Sequence, residues 1–424
     1  MATKRWIGGA LAVAQVDTLT VGGTIEAGDK FNITINNKTL SVSAANTDAD
    51  DVAAQIATAW AALDSTYYPE FAEITAAAVG SGGQLTLTAN TPGVPFTATV
   101  ETTESDDSAA DSQTFGTATT TSSAGPNHWD SAGNWSGNSV PVDTDDVYFE
   151  NSSISVLYGL SQGSLDLASL HIKQSFTGQI GLPQHNGSYS EYRTDYLTLG
   201  TATVLEIGEG EGTGSSQIKI DVGSNQCTAT IHNSGNPATA GLEAIILKGT
   251  HSSNAVQVKK GSVGIAVFAG ESATVATLKV GYVDNQDADA IVRCGSGTTL
   301  TTIVKSGGQL TISSNVTTLT QDAGTTTING AATLGTLNLD GGTLKYLSTG
   351  TLTTAKIGDG GVLDFRADLD SRTVTNCTMG KGASLFDSFE TVTWSNPITL
   401  NRCSISDVAL DLGVHITIDP GAAA

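Results

Sequence analysis

Residues 300–386 hold five consecutive segments of one design: LTTIVKSGGQLTIS (300–313), VTTLTQDAGTTTIN (316–329), LGTLNLDGGTLKYL (334–347), LTTAKIGDGGVLDF (352–365) and VTNCTMGKGASLF (374–386). Each is an alternating run of apolar and hydroxyl-bearing residues, a glycine-containing turn and a second alternating run. Alternation at period two marks a strand with one buried and one solvated face. The turn glycines Gly308, Gly324, Gly342, Gly361 and Gly382 recur at spacings of 16, 18, 19 and 21 residues. A period near one coil, drifting by a few residues, predicts a parallel β-helix in which each turn of chain stacks on the last. Glycine suits the corners because it takes positive φ without a Cβ clash. An array of β-sandwich domains is the competing architecture.

Outward from this stretch the rhythm continues less regularly through residues 196–207, 218–231, 244–248, 256–268 and 274–283. Upstream, GPNHWDSAGNWSGNSVPVDTDDVYF (125–149) brings two tryptophans six residues apart. A stack of strands must close its open end or expose its apolar interior, so this patch reads as a cap and the β-helix as residues 125–424. Residues 104–124, with ESDD at their start and a Thr/Ser run at 119–123, offer nothing to bury and read as a flexible linker.

Residues 1–103 follow another pattern. Strand-like runs at 13–21, 31–35 and 39–43 precede a change of period. In 48–64, Val52, Ile56, Trp60 and Leu63 fall on one helical face, Thr47 or Asp48 suits the N-cap, and Asp50 and Asp51 suit the first turn. Strands near 72–79, 84–89 and 96–102 follow. The order predicts a small α+β domain, a helix packed on antiparallel sheet. The fold class expected is therefore mainly β, an α+β domain followed by a β-helix.

The charge balance narrows the partners. With 42 acidic against 19 basic residues the formal net charge is −23, which disfavours nucleic acid or an anionic membrane as a partner. The four cysteines, Cys227, Cys294, Cys377 and Cys403, form no metal-binding spacing. The segment from Lys4 to Ala14 imitates a signal peptide, but Gly8-Gly9 interrupts a short apolar run that leads directly into a strand. No signal peptide is expected, and synthesis in a cytoplasm follows.

Candidate chemistry is sparse. Asp284, Asp287 and Asp289 in VDNQDADA are weak Ca²⁺ candidates, as they lack the glycine and distal glutamate of an EF-hand loop. Asp364, Asp368 and Asp370 beside Arg366 could supply acid and base for sugar cleavage, though a solvated turn is the plainer reading. Glu206, Glu209 and Glu211 could gather round a cation, but exposed acidic turns are commoner. The six histidines are scattered, with no HExxH and no nucleophile elbow; a triad assembled by the fold stays open. No catalytic residue, cofactor or resident metal is expected. Tyr189, Tyr192 and Arg193 in GSYSEYRTDY form the densest exposed-looking aromatic group, with Tyr196 nearby. They are interface candidates, to which Trp6 is added; a loop folded back onto the stack is the alternative.

Two resemblances add to this. ATKRWIGGALAVAQVDTLTVGGTIEAGDKFNITINNKTLSVSA (2–44), DADDVAAQIATAWAAL (48–63), EITAAAV (73–79) and QLTLTANTPGVPFTATV (84–100) together resemble the N-terminal domain of tailed-phage and prophage virion proteins. HWDSAGNWSGNSVPVDTDDVYF (128–149) resembles the opening of autotransporter-type β-helix proteins, without their C-terminal barrel. The first implies a particle component that docks by its N-terminal domain and projects the rest. Expected partners are other virion proteins such as the major capsid protein, further copies in a homo-oligomer such as a trimer, and a host surface glycan, with the virion as location. A capsid decoration protein or a head or tail fibre leads; a tailspike-like polysaccharide depolymerase and a bacterial surface adhesin are the alternatives.

Overall fold

A computed structural model describes residues 2–105, 112–281, 289–413 and 418–419. From residue 146 onward the chain winds into a solenoid-like stack of more than twenty parallel strands. Each strand pairs with the strand two places on, so that one coil lies directly on the next. Thr298–Lys305 pairs with Val316–Gln321, which pairs with Leu334–Leu339, which pairs with Leu352–Ile357. The intervening strands Gln309–Ile312, Thr325–Ile328, Gly342–Tyr346 and Gly361–Asp364 build a second ladder in the same way. Such i-to-i+2 parallel pairing belongs to a solenoid and excludes an array of antiparallel sandwiches.

The register turns the sequence alternation into columns. Leu278, Ile303, Leu319, Leu337, Ala355 and Cys377 lie one above another, all buried. Each fully buried leucine in such a column contributes about 1.5–3 kcal/mol relative to exposure. Within Val316–Gln321 the buried residues are Val316, Leu319 and Gln321. The step of three breaks strict alternation within the strand. The turns hold a glycine column. Gly324 has φ +79, and a Cβ there would lie 2.3 Å from the Gly308 carbonyl; Gly342, with φ +70, meets the Gly324 carbonyl at the same distance. At the next coil the positive φ falls on Gly360 rather than Gly361, whose Cβ would strike the Leu339 carbonyl at 2.3 Å.

The polar ends of the interior column are satisfied internally. Gln321 donates to the carbonyls of Gly324, Gly341 and Thr343 and accepts from Thr326. Lys305, 0% exposed, donates to the Ala323 carbonyl at 2.7 Å.

Residues 14–103 form a separate hydrophobic cluster around Phe31, Val52, Ile56, Trp60 and Phe71. Its helix, α1 (Ala49–Ala61), starts where expected: the Asp48 carboxylate accepts from the backbone N–H groups of Asp50 and Asp51, and Val52, Ile56 and Trp60 face inward. A three-stranded sheet (Lys38–Ser43, Lys30–Ile35, Ala98–Thr103) and a four-stranded sheet (Ile74–Ala78, Gln84–Ala89, Val16–Gly22, Thr114–Thr121) complete it, both antiparallel.

Two boundaries differ from expectation. The presumed linker 104–124 supplies Thr114–Thr121 as an edge strand on Val16–Gly22. An edge strand needs backbone partners and little burial, so a Thr run devoid of apolar periodicity still forms one; Phe115 anchors it, edge-on to Phe31 at 5.5 Å. Secondly, the chain does not begin in this unit. Thr3–Arg5 pairs in parallel with Asp146–Phe149, the first strand of the stack. The helix-bearing unit is thus an insertion into the first coil, not a domain preceding it.

The cap is aromatic, as the tryptophans suggest. Trp129 and Trp135 contact edge-on at 4.7 Å, Trp135 lies 5.8 Å from Phe149, and Phe149 lies 5.2 Å from Phe176. Trp6 completes the group from the other end of the insertion, 5.1 Å from Trp135 and 5.7 Å from Phe149.

Candidate functional site

The predicted aromatic group lies where the insertion meets the stack. A short hairpin (His185–Asn186 with Tyr189–Ser190) projects from the coil and leans on the helix-bearing unit. Glu191 accepts from Arg193 Nε and Nη2, each at 2.7 Å. That fork fixes the guanidinium plane, and Nη1 donates across the junction to the Pro95 carbonyl at 3.1 Å. The guanidinium lies 5.3 Å from the ring of Tyr192 and 5.7 Å from that of Tyr158. Asn186 donates to Glu73 of the insertion at 3.1 Å and to the Tyr189 hydroxyl at 2.9 Å. Tyr192 packs against the insertion's core, and burial pushes its hydroxyl up to about 12. Tyr189, Tyr192 and Arg193 thus lie in a loop folded back onto the rest of the chain, the alternative reading, and do not stand free as an exposed group. Beside it opens a cleft of ≈ 330 Å³ lined by Pro95, Thr97, Asp130, Tyr158, Tyr192 and Arg193 among others.

Trp6 does not join them. It is 3% exposed and donates its indole N–H to the Ile154 carbonyl at 2.9 Å. Its role as an interface candidate is corrected: the open end of the stack needs an apolar lid, and Trp6 is part of it.

A second seam holds the insertion. His128, buried, places Nε2 2.9 Å from the Gly93 carbonyl and 3.3 Å from Ser123 Oγ, with Nδ1 3.5 Å from the largely exposed Asp130 carboxylate. Ser123, His128 and Asp130 thus stand in the order of a nucleophilic triad. A carbonyl accepts only, so Nε2 carries the proton in the Gly93 bond and has no lone pair to take the serine's. The arrangement is a fastening, not a general base.

The acidic candidates separate. Asp364 is gripped at two 2.9 Å contacts by Arg366, which holds its carboxyl below the usual carboxylate range. Asp368 pairs with Arg372 at 3.2 Å. Asp284 and Asp287 lie outside the described residues; Asp289 pairs with Lys260 at 2.8 Å.

Glu206 and Glu209, by contrast, meet partners the sequence did not suggest. Three residues apart on a regular strand, they would face opposite sides. The pairing of Ser161–Lys173 with Leu197–Glu209 slips at its end, Ile172 facing Ile207 but Lys173 facing Glu209. The extra residue is Gly208, at φ +83. This bulge turns both glutamates to the same outer face. His232, from the next coil, comes within 2.5 Å of Glu206 and 3.5 Å of Glu209. His171, stacked on Tyr148 at 4.5 Å and 9°, places Nδ1 3.9 Å from Glu209. Burial, chiefly, and then Lys173 push the His171 imidazole below its usual value. Lys173 pairs with Glu209, and Lys259 lies 3.4 Å from His232 Nδ1. Among the described residues Glu206, Glu209 and His232 are the group whose ligand atoms converge closely enough for one metal ion.

Comparison with protein-family models, with curated proteins and with solved structures gave no match. Among the described residues no helix is long and apolar enough to cross a membrane.

Proposed function

We propose that this chain is a non-enzymatic structural component of a phage-like particle, a capsid decoration protein or a head or tail fibre. The helix-bearing α+β unit docks to the particle and the stack projects from it. The observation that carries the reading is a long parallel stack with a distinct folded unit fastened at its capped end. Along one face, among the described residues, thirteen parallel pairings follow without a break from Thr3–Arg5 to Ile418–Asp419. At about 4.8 Å per step they make a rod roughly 60 Å long. Among the described residues the non-repetitive unit sits at the capped end, fastened by Arg193 and His128. A rod with one distinct foot suits attachment and reach, with many weak contacts multiplied by copy number.

Two further features support it. The carboxylates first considered for sugar cleavage, Asp364 and Asp368, are each paired with arginine. Cleavage after Ala14, which surface export would entail, would strip Trp6 and the strand Thr3–Arg5 from the cap.

The test is co-purification and turnover together. The intact chain is expected to bind particles assembled without it, and a chain lacking residues 14–124, with Val13 and Gly125 rejoined, is expected not to. Robust release of reducing sugar from host capsule, abolished by Asp364→Ala or Asp368→Ala, would replace this reading with a depolymerase.

A further inference from the structure

We propose that Glu206, Glu209 and His232, with His171 beside them, form a binding site for one divalent transition-metal ion of the zinc type. The site is built by the fold, because three separate coils supply it. His171 comes from Ser161–Lys173, the two glutamates from Leu197–Glu209, and His232 from just beyond Thr228–Ile231. His232 is set in place by its backbone N–H, which donates to the Ile207 carbonyl at 2.8 Å. Gly208 cannot be replaced without loss, since a Cβ there would lie 1.9 Å from the Asn233 carbonyl. A regular strand would have sent one glutamate inward, so the bulge is what creates the group.

The spacing suits a small ion. Ligands about 2.0–2.1 Å from zinc in tetrahedral array stand roughly 3.4 Å apart. The His232 Nε2 to Glu209 separation is 3.5 Å, and that of His171 Nδ1 to Glu209 is 3.9 Å. The 2.5 Å contact of His232 with Glu206 must open, and the Lys173 pairing with Glu209 must give way. His171 Nδ1 is shut off from solvent and has no hydrogen-bond partner, an independent sign of a missing contact at this place. Mixed imidazole and carboxylate donors favour zinc, cobalt or manganese over calcium or magnesium. Lys173 now supplies the counter-charge to Glu209. Its side chain is 27% exposed and can swing out to solvent when a dication takes its place.

The experiment uses the full chain, stripped with chelator and titrated with Zn²⁺ by calorimetry and with Co²⁺ by visible absorption. One equivalent is expected to bind at micromolar metal. Glu206→Gln with Glu209→Gln should weaken binding at least about tenfold, and His232→Asn likewise. Lys173→Met, which removes the competing ammonium, should bind several-fold more tightly, and His251→Asn, remote from the group, should bind as the parent does. Circular dichroism of each variant confirms the strand content, and His232→Asn serves alone if the double variant fails to fold. Absence of saturable binding, binding that survives His232→Asn, or weaker binding by Lys173→Met overturns the assignment.

Discussion

Arg193 Nη1 donates to the Pro95 carbonyl at 3.1 Å, and this bond joins a residue of the stack to one of the unit inserted in its first coil. Because Glu191 holds the other side of the guanidinium, the donor is aimed at the Pro95 carbonyl. Lysine cannot reproduce this, as it has no planar fork. Arg193→Met keeps much of the apolar stem and removes the bridge. Hydrogen bonds from charged groups contribute about 1.5–3 kcal/mol. Hydrogen exchange across residues 93–97 should speed up in the variant while residues 300–386 stay protected. Unchanged exchange at 93–97 would show that the junction does not depend on Arg193.

Trp6 tests the cap. Removing a buried tryptophan costs about 3–5 kcal/mol. Trp6→Ala should lower the thermal midpoint clearly and expose the cap to protease near residues 129–135. If Trp6 served an external partner instead, the isolated chain would melt as before.

The glycine column gives a matched pair. Gly324→Ala places a Cβ 2.3 Å from the Gly308 carbonyl at φ +79, whereas Gly330→Ala, at φ +69, meets nothing within 4 Å. The second carries only the left-handed strain of about 1 kcal/mol. The first adds a backbone clash between coils and should destabilise by clearly more. Equal losses in denaturant unfolding would refute the stacking of turns described above.

Lys305 makes stability depend on pH. An ordinary lysine titrates near 10.4, and burial pulls Lys305 down to about 8. Between these values the unfolded chain holds a proton that the folded chain has released. Stability from this group therefore rises as pH climbs from about 8 to about 10.5, by on the order of 3 kcal/mol, is lost again as pH falls from about 10.5 to about 8, and is flat below that because both states then hold the proton. Lys305→Met should be flatter than the parent over that window. The difference between the two unfolding free energies, measured at pH 7 and pH 10, isolates this group from other titrations.

Much of this architecture is legible in the sequence for a plain reason: period-two alternation and turn glycines are local signals, and the coil repeats them. The helix start at Asp48 and the tryptophans of the cap are equally local. What escapes is relational. Thr3–Arg5 is too short to announce that it closes a ladder with residue 146. Thr114–Thr121 resembles a linker because an edge strand needs so little burial. Glu206 and Glu209 are visible as acidic residues, but a bulge at Gly208 reverses the alternation that would have separated them. His232 is brought to them by coil stacking across 26 residues of chain. The junction of Arg193 with Pro95 spans 98. A Gly flanked by strand-like runs was the available hint for the bulge; nothing comparable marks the histidine.

The proposed role stands or falls on imaging. Particles purified from the source that makes this chain can be averaged by electron cryo-microscopy, with antibody against residues 300–386 marking the outer coils. The expected result is a regular set of rods about 60 Å long, each joined to the particle at the Trp-capped end, with antibody only on the far coils. Particles without such density, alongside a chain recovered only as free protein, would contradict it.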